Sequence, residues 1–151
     1  MSDLPEYSVA ELELEDRFDV AEFDNDDAVD LGLAAVEVID ERGLNLAVRI
    51  VLRGDTVFQA KLGATGPGND EWLAGKAAVA ARFGESSLLV RRRHEQSGSA
   101  FEPTDGVERL SGGAVPILSQ GVVIGTITCS GEPDAVDHAT VREAIRRYLS
   151  R

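Results

Sequence analysis

Apolar and polar positions along the chain change period several times, and each change marks an element. In "DNDDAVDLGLAAVEVIDERG", Ala28, Leu31, Ala35, Val38 and Ile39 recur at three- and four-residue steps, the spacing of one helix face. Asp24 or Asn25 suits the N-cap, Asp26 and Asp27 complement the positive helix start, and Gly43 supplies a left-handed stop. The period then falls to two. In "LNLAVRIVLRGDTVFQAKLGA", Leu46, Val48, Ile50 and Leu52 alternate with Ala47, Arg49 and Val51. A turn at Arg53-Gly54-Asp55 follows, and Phe58, Ala60 and Leu62 continue the buried face. This pattern predicts a β-hairpin.

The Gly-rich "GATGPGNDEW" lacks the Lys-Ser/Thr of a phosphate-cradling loop and reads as a connection. Asn69 is the expected N-cap of a helix in which Trp72, Lys76, Val79 and Phe83 form one stripe, ended by Gly84. Ser86 or Ser87 caps a shorter helix, "SLLVRRRHEQ", and "SGSAFEPTDGVERLSGG" is a loop without period. A second hairpin turns at Gln120-Gly121. A last helix runs from Asp134 to about Leu149, with Asp134 as cap, Asp137 completing a capping box, and Val141, Ile145 and Leu149 facing inward. Neither hairpin is large enough to stand alone. Pairing them gives an α+β fold: a single antiparallel sheet from two hairpins, flanked by helices.

The 151 residues suffice for one domain with a core of its own. Charge divides the chain unevenly. Residues 1–42 hold 15 acidic and 2 basic side chains, whereas residues 43–151 hold 12 acidic and 13 basic. Residues 1–16 are therefore expected to form an acidic, partly ordered N-terminal segment, and residues 17–151 the single domain. "RFDVAEF" is a candidate short edge strand or extended entry segment. A net charge of −12 argues against nucleic acid as a partner. No apolar run reaches membrane-spanning length, and the acidic start lacks the features of a signal peptide. A cytoplasmic protein is expected. The single Cys129 agrees with that, and within "TITCSG" it reads as a buried apolar side chain.

No metalloprotease, nucleophile-elbow or zinc-finger motif is present, and the only histidines are His94 and His138. His94, in "RRRHEQ", belongs to a face expected to be solvated. His138 follows Asp137 in the first turn of the last helix, near where Ser130-Gly131 leaves the sheet. An imidazole there can coordinate a metal or accept a proton, which makes His138 the one candidate metal ligand. Gly112 and Gly113 can offer backbone N–H groups to an anion, and Lys76 can pair with one. Ser111 and Ser130 lie at matching ends of paired strands and are expected to converge on one pocket. The candidate ligand-binding set is therefore Ser111, Gly112, Gly113, Ser130, His138 and Lys76; a catalytic set does not emerge.

Taken together, "NDEWLAGKAAVAARFGESS", "SGGAVPILSQGVVIGTITCSG" and "DAVDH" resemble the haem-degrading-domain superfamily, which includes the GlcG-like and HbpS-like proteins. The likeness is greatest to an uncharacterised bacterial and fungal branch and runs from about Asp24 to Leu149. It implies a profilin-like fold, symmetric homo-oligomers and a link to haem for some members. In that branch a histidine stands directly before the glycine pair, where this chain has Ser111. Haem iron is normally held by His, Cys, Met or Tyr, which directs attention to His138, His94, Cys129 and the two tyrosines. The resemblance implies a haem- or small-ligand-binding protein. A non-catalytic homo-oligomeric scaffold or adaptor without cofactor is the competing expectation.

Overall fold

A computed structural model describes residues 4–151. Its elements are α1 (Val9–Glu13), α2 (Asn25–Glu41), β1 (Ala47–Leu52), β2 (Asp55–Lys61), α3 (Asn69–Phe83), α4 (Ser87–Ser97), β3 (Ala114–Ser119), β4 (Val122–Ser130) and α5 (Asp134–Ser150). The four strands form one antiparallel sheet in the order β2-β1-β4-β3. This is the expected α+β architecture, with the two hairpins joined through β1 and β4.

Both hairpin turns are made by an Xaa-Gly pair with two positive φ angles, Arg53 and Gly54 at 52° and 82°, Gln120 and Gly121 at 51° and 77°. That is the turn whose twist matches the strands it joins. Gly125 has a different purpose. A Cβ there would lie 2.3 Å from the Val51 carbonyl oxygen, so only glycine lets β4 approach β1 this closely.

Helices α2 and α5 pack on one face of the sheet and α3 on the other, with α4 beside α3 and touching β3 and α5 as well. The main core fills the α2/α5 side, where Leu31, Ile39, Val48, Ile50, Ile117, Ile127 and Ile145 are buried. The helix stops match expectation: Gly43 and Gly84 both take positive φ. The starts differ at two helices. Asn69 is the first residue of α3, and the cap position before it is Gly68. Pro133 precedes α5, and no side chain caps that helix. Asp134 and Asp137, expected as a capping box, are drawn to longer-range partners described below.

The described part of the N-terminal segment, residues 4–16, carries a short helix with contacts of its own. Ser8 and Glu11 form a capping box for α1, and Leu12 packs on Leu88 and Leu89 as a small second core. Arg92 and Arg93 of α4 donate to Tyr7 O and to Glu13, and Arg142 of α5 donates to Asp16 O. The segment after it runs along the sheet. Phe18 O accepts from Leu118 N–H and Leu118 O from Val20 N–H, so the outer edge of β3 is covered. Among the described residues, the edge of β2 carries no further strand.

Candidate functional site

The end of the sheet where β4 meets α5 carries an open cleft of about 370 Å³, lined by Gly68, Asn69, Trp72, Lys76, Ser111, Ser130, Gly131, Glu132 and Asp137. That volume falls in the ordinary range of small-molecule sites. Four elements supply it. Trp72 and Lys76 lie one turn apart on α3, Ser130 ends β4, Ser111 precedes β3, and Asp137 lies in the first turn of α5.

Its floor is a buried ion pair. Lys76 Nζ stands 2.6 Å from Asp137 Oδ2 and donates also to Cys129 O at 3.0 Å. The two side chains are 3% and 0% exposed. Asp137 Oδ1 accepts from the Glu132 N–H, tying the turn before α5 to the pair. Gly113, with φ +129°, presses against this pair: a Cβ there would lie 2.9 Å from Asp137 Cβ and 3.1 Å from Lys76 Nζ. Above the floor, Asn69 Nδ2 donates to Ser130 O and Oγ, and Trp72 contributes an indole that is 45% exposed. Neither Ser111 Oγ nor the third donor of Lys76 has a hydrogen-bond partner among the described residues.

Burial lifts the Asp137 carboxyl to about 6, outweighing the opposing pull of Lys76. Asp134 behaves otherwise: burial works against it, but the Gly112 amide and the Arg91 guanidinium hold its carboxyl below the usual range. The Asp137 shift has a definite sign in stability. Between the unfolded value near 3.9 and the folded value near 6, the folded chain holds the extra proton. Stability from this group is complete below about pH 4 and is lost as pH rises through 6, a change of about 3 kcal/mol. Urea unfolding between pH 4.5 and 7 should show this fall, and Asp137→Asn should remove it. An identical slope in Asp137→Asn would assign the dependence to another group.

Ser111 and Ser130, the pair for which the strand ends predict convergence, lie on one cleft lining together with Lys76 from α3. The structure places Gly112 and Gly113 behind the cleft rather than on its lining. The Gly112 N–H is spent on Asp134 Oδ2 at 2.9 Å, so it is not available to an anion. His138 points elsewhere. Neighbouring helix residues project about 100° apart, and while Asp137 faces the cleft, His138 faces α1. Its Nε2 lies 2.9 and 3.0 Å from the two Glu15 carboxylate oxygens, and Tyr7 stands edge-on at 4.9 Å. His138 is 0% exposed, and its Nδ1 has no hydrogen-bond partner among the described residues. The arrangement ties down the N-terminal segment. No group of three or more His, Cys, Asp or Glu side chains among the described residues is placed to hold a metal ion. Asn69, Trp72, Glu132 and Asp137 are cleft residues that the sequence reading did not select. The one available signal was a lone lysine on an apolar stripe, which demands a buried carboxylate partner.

A family model described as "Haem degrading protein HbpS-like" matches residues 23–146. A UPF0303 protein of Streptomyces coelicolor is 38% identical over 148 residues, 94% of each chain. One from Paraburkholderia phymatum is 35% identical over 132 residues, 84% of this chain and 80% of its own. Among solved structures, the Ybr137w protein superposes with a TM-score of 0.84 at 25% identity, over 96% of this chain and 90% of its own. A PduOC–haem complex gives 0.71 at 23% identity, over 84% and 94%. Sequence and fold thus agree, and the chain belongs to the HbpS-like haem-degrading-domain family.

Proposed function

We propose that the protein binds a small organic acid in the α3/β4/α5 cleft. The observation that carries this is the buried Lys76–Asp137 pair at the base of an open cleft. Lys76 keeps one donor for a carboxylate, Ser111 Oγ is unpartnered, and Trp72 offers a flat apolar wall. An arriving anion is matched by a proton on Asp137, whose carboxyl already lies near 6. Affinity therefore rises as pH falls through about 6.

The cleft lining does not suit haem iron. It contains no His, Cys, Met or Tyr. Beneath it Cys129 is fully buried, and burial raises its thiol far above the ordinary value, so no thiolate is available there.

Thermal shift against a series of two- to six-carbon mono- and dicarboxylic acids at pH 5.5 tests the reading. At a hundred times Kd a ligand stabilises by about 2.7 kcal/mol, about 5–10 °C for a chain of this size. Ser111→Phe, which fills the cleft, should abolish the shift. A series without effect on the melting temperature would overturn the proposal. We further read the protein as a cytoplasmic homo-oligomer. No described helix is long and apolar enough to cross a membrane, and the β2 edge is open to a second copy. Light scattering should return a multiple of 16.2 kDa, and a monomer mass at micromolar concentration would contradict the assembly.

A further inference from the structure

We propose that the cleft selects a zwitterion, an ω-amino acid, and that Glu132 is the residue that receives its ammonium group. This rests on the reading that a carboxylate sits over Lys76, and it names the class of acid. Lys76 brings one positive charge to the lining, and Asp137 and Glu132 bring two negative ones. Lys76 and Asp137 compensate each other at 2.6 Å. Glu132 has no such partner. It is half-buried, its Oε2 accepts from the Asn45 N–H at 2.8 Å, and among the described residues no lysine or arginine pairs with it and nothing bonds its Oε1. A carboxylate without a cation on the wall of a cleft draws a cation from outside and repels a plain anion. A ligand that carries both charges answers both groups.

The two charge seats lie on opposite sides of β4. The Cys129 N–H donates to Gly113 O, on the β3 side. In an antiparallel ladder the N–H and C=O of one residue face the same neighbour, so the Cys129 carbonyl met by Lys76 Nζ also faces β3. Ser111 leads into β3 as well. Glu132 instead reaches Asn45, which leads into β1, the strand on the other side of β4. Neighbouring strands lie about 4.8 Å apart, so β3 and β1 are about 10 Å apart. An α-amino acid carries its two charges on adjacent carbons and is too short to meet both seats. An amino acid with several methylenes between its charges spans them, and Trp72, exposed on the lining, gives those methylenes an apolar surface.

Isothermal titration calorimetry at pH 5.5 with matched pairs tests this: γ-aminobutyrate against butyrate, δ-aminovalerate against valerate and ε-aminocaproate against caproate. Within a pair the chain and the carboxylate are the same and only the ammonium differs. The best ω-amino acid should bind about tenfold more tightly than its alkanoate, the scale of one hydrogen bond to a charged group. Glycine should gain nothing over acetate. Glu132→Gln, which keeps an acceptor for the Asn45 N–H, should erase the preference. Alkanoates bound as tightly as their ω-amino acids, or a preference that survives Glu132→Gln, would overturn this inference and leave the carboxylate seat standing. Binding of neither class would overturn both.

Discussion

Lys76→Met should cost about 3–5 kcal/mol at pH 7, the scale observed when one partner of a buried ion pair is removed. The reason is the environment of Asp137, whose side chain is 0% exposed and whose nearest compensating charge is Lys76 Nζ at 2.6 Å. Methionine matches the lysine stem in bulk, so the loss reports on charge rather than volume. At pH 5 the penalty should shrink, because Asp137 then takes a proton and no bare carboxylate is left behind. Combining Lys76→Met with Asp137→Leu should recover much of the loss, since two apolar groups satisfy each other where one charge cannot. Chemical denaturation of the two single variants and the double variant at both pH values checks the scheme. A loss under about 1 kcal/mol for Lys76→Met at pH 7 would mean that water reaches the pair.

The second large effect belongs to the N-terminal segment. Removing residues 1–16 should lower the melting temperature by about 10 °C. Leu12, 3% exposed, covers Leu88 and Leu89, and burial of one such side chain is worth about 1.5–3 kcal/mol. The truncation also removes the hydrogen bond between His138 Nε2 and the Glu15 carboxylate, and a bond to a charged partner is worth about 1.5–3 kcal/mol. The sum, about 4 kcal/mol, corresponds to about 10 °C at this chain length. Calorimetry of the truncated chain beside Leu12→Ala separates the two contributions. An unchanged melting temperature would return the segment to the dispensable acidic tail that its composition suggests.

These two predictions also mark where sequence reading succeeds and where it stops. The hairpins were legible because alternation and the Arg53-Gly54 and Gln120-Gly121 pairs are local signals. Helix α2 was legible because its apolar face and both ends agree. The ion pair was half legible: Lys76 stood out on an apolar stripe, but its partner is 61 residues away. Asp137 was read as a cap because its position after Pro133 fits that local use equally well. His138 was read toward Ser130 because chain proximity says nothing about which side of a helix a residue faces. Glu15 was invisible as its partner, being one of 15 acidic residues in a stretch that looks uniformly solvated. Trp72 was placed on one stripe with Lys76, Val79 and Phe83, and a stripe shows periodicity but not where the neighbouring layer ends.

The placement of Ser111 and Ser130 did follow from the hairpin. Strands paired from Ala114 to Ser119 against Val122 to Thr128 bring their open ends together. What the strands alone do not supply is the third wall, α3, and with it the cation and the indole that give the cleft its chemistry.

That indole provides the most direct measurement. Trp72 is the chain's single tryptophan and lines the cleft, so its emission reports on occupancy without a label. Titrated with the carboxylic acid giving the greatest thermal shift, wild-type emission should change saturably at pH 5.5 and more weakly at pH 7.5. Ser111→Phe should show no such change at either pH. An emission flat across the whole acid series, or a response unaltered by Ser111→Phe, would contradict a ligand seat over the Lys76–Asp137 pair.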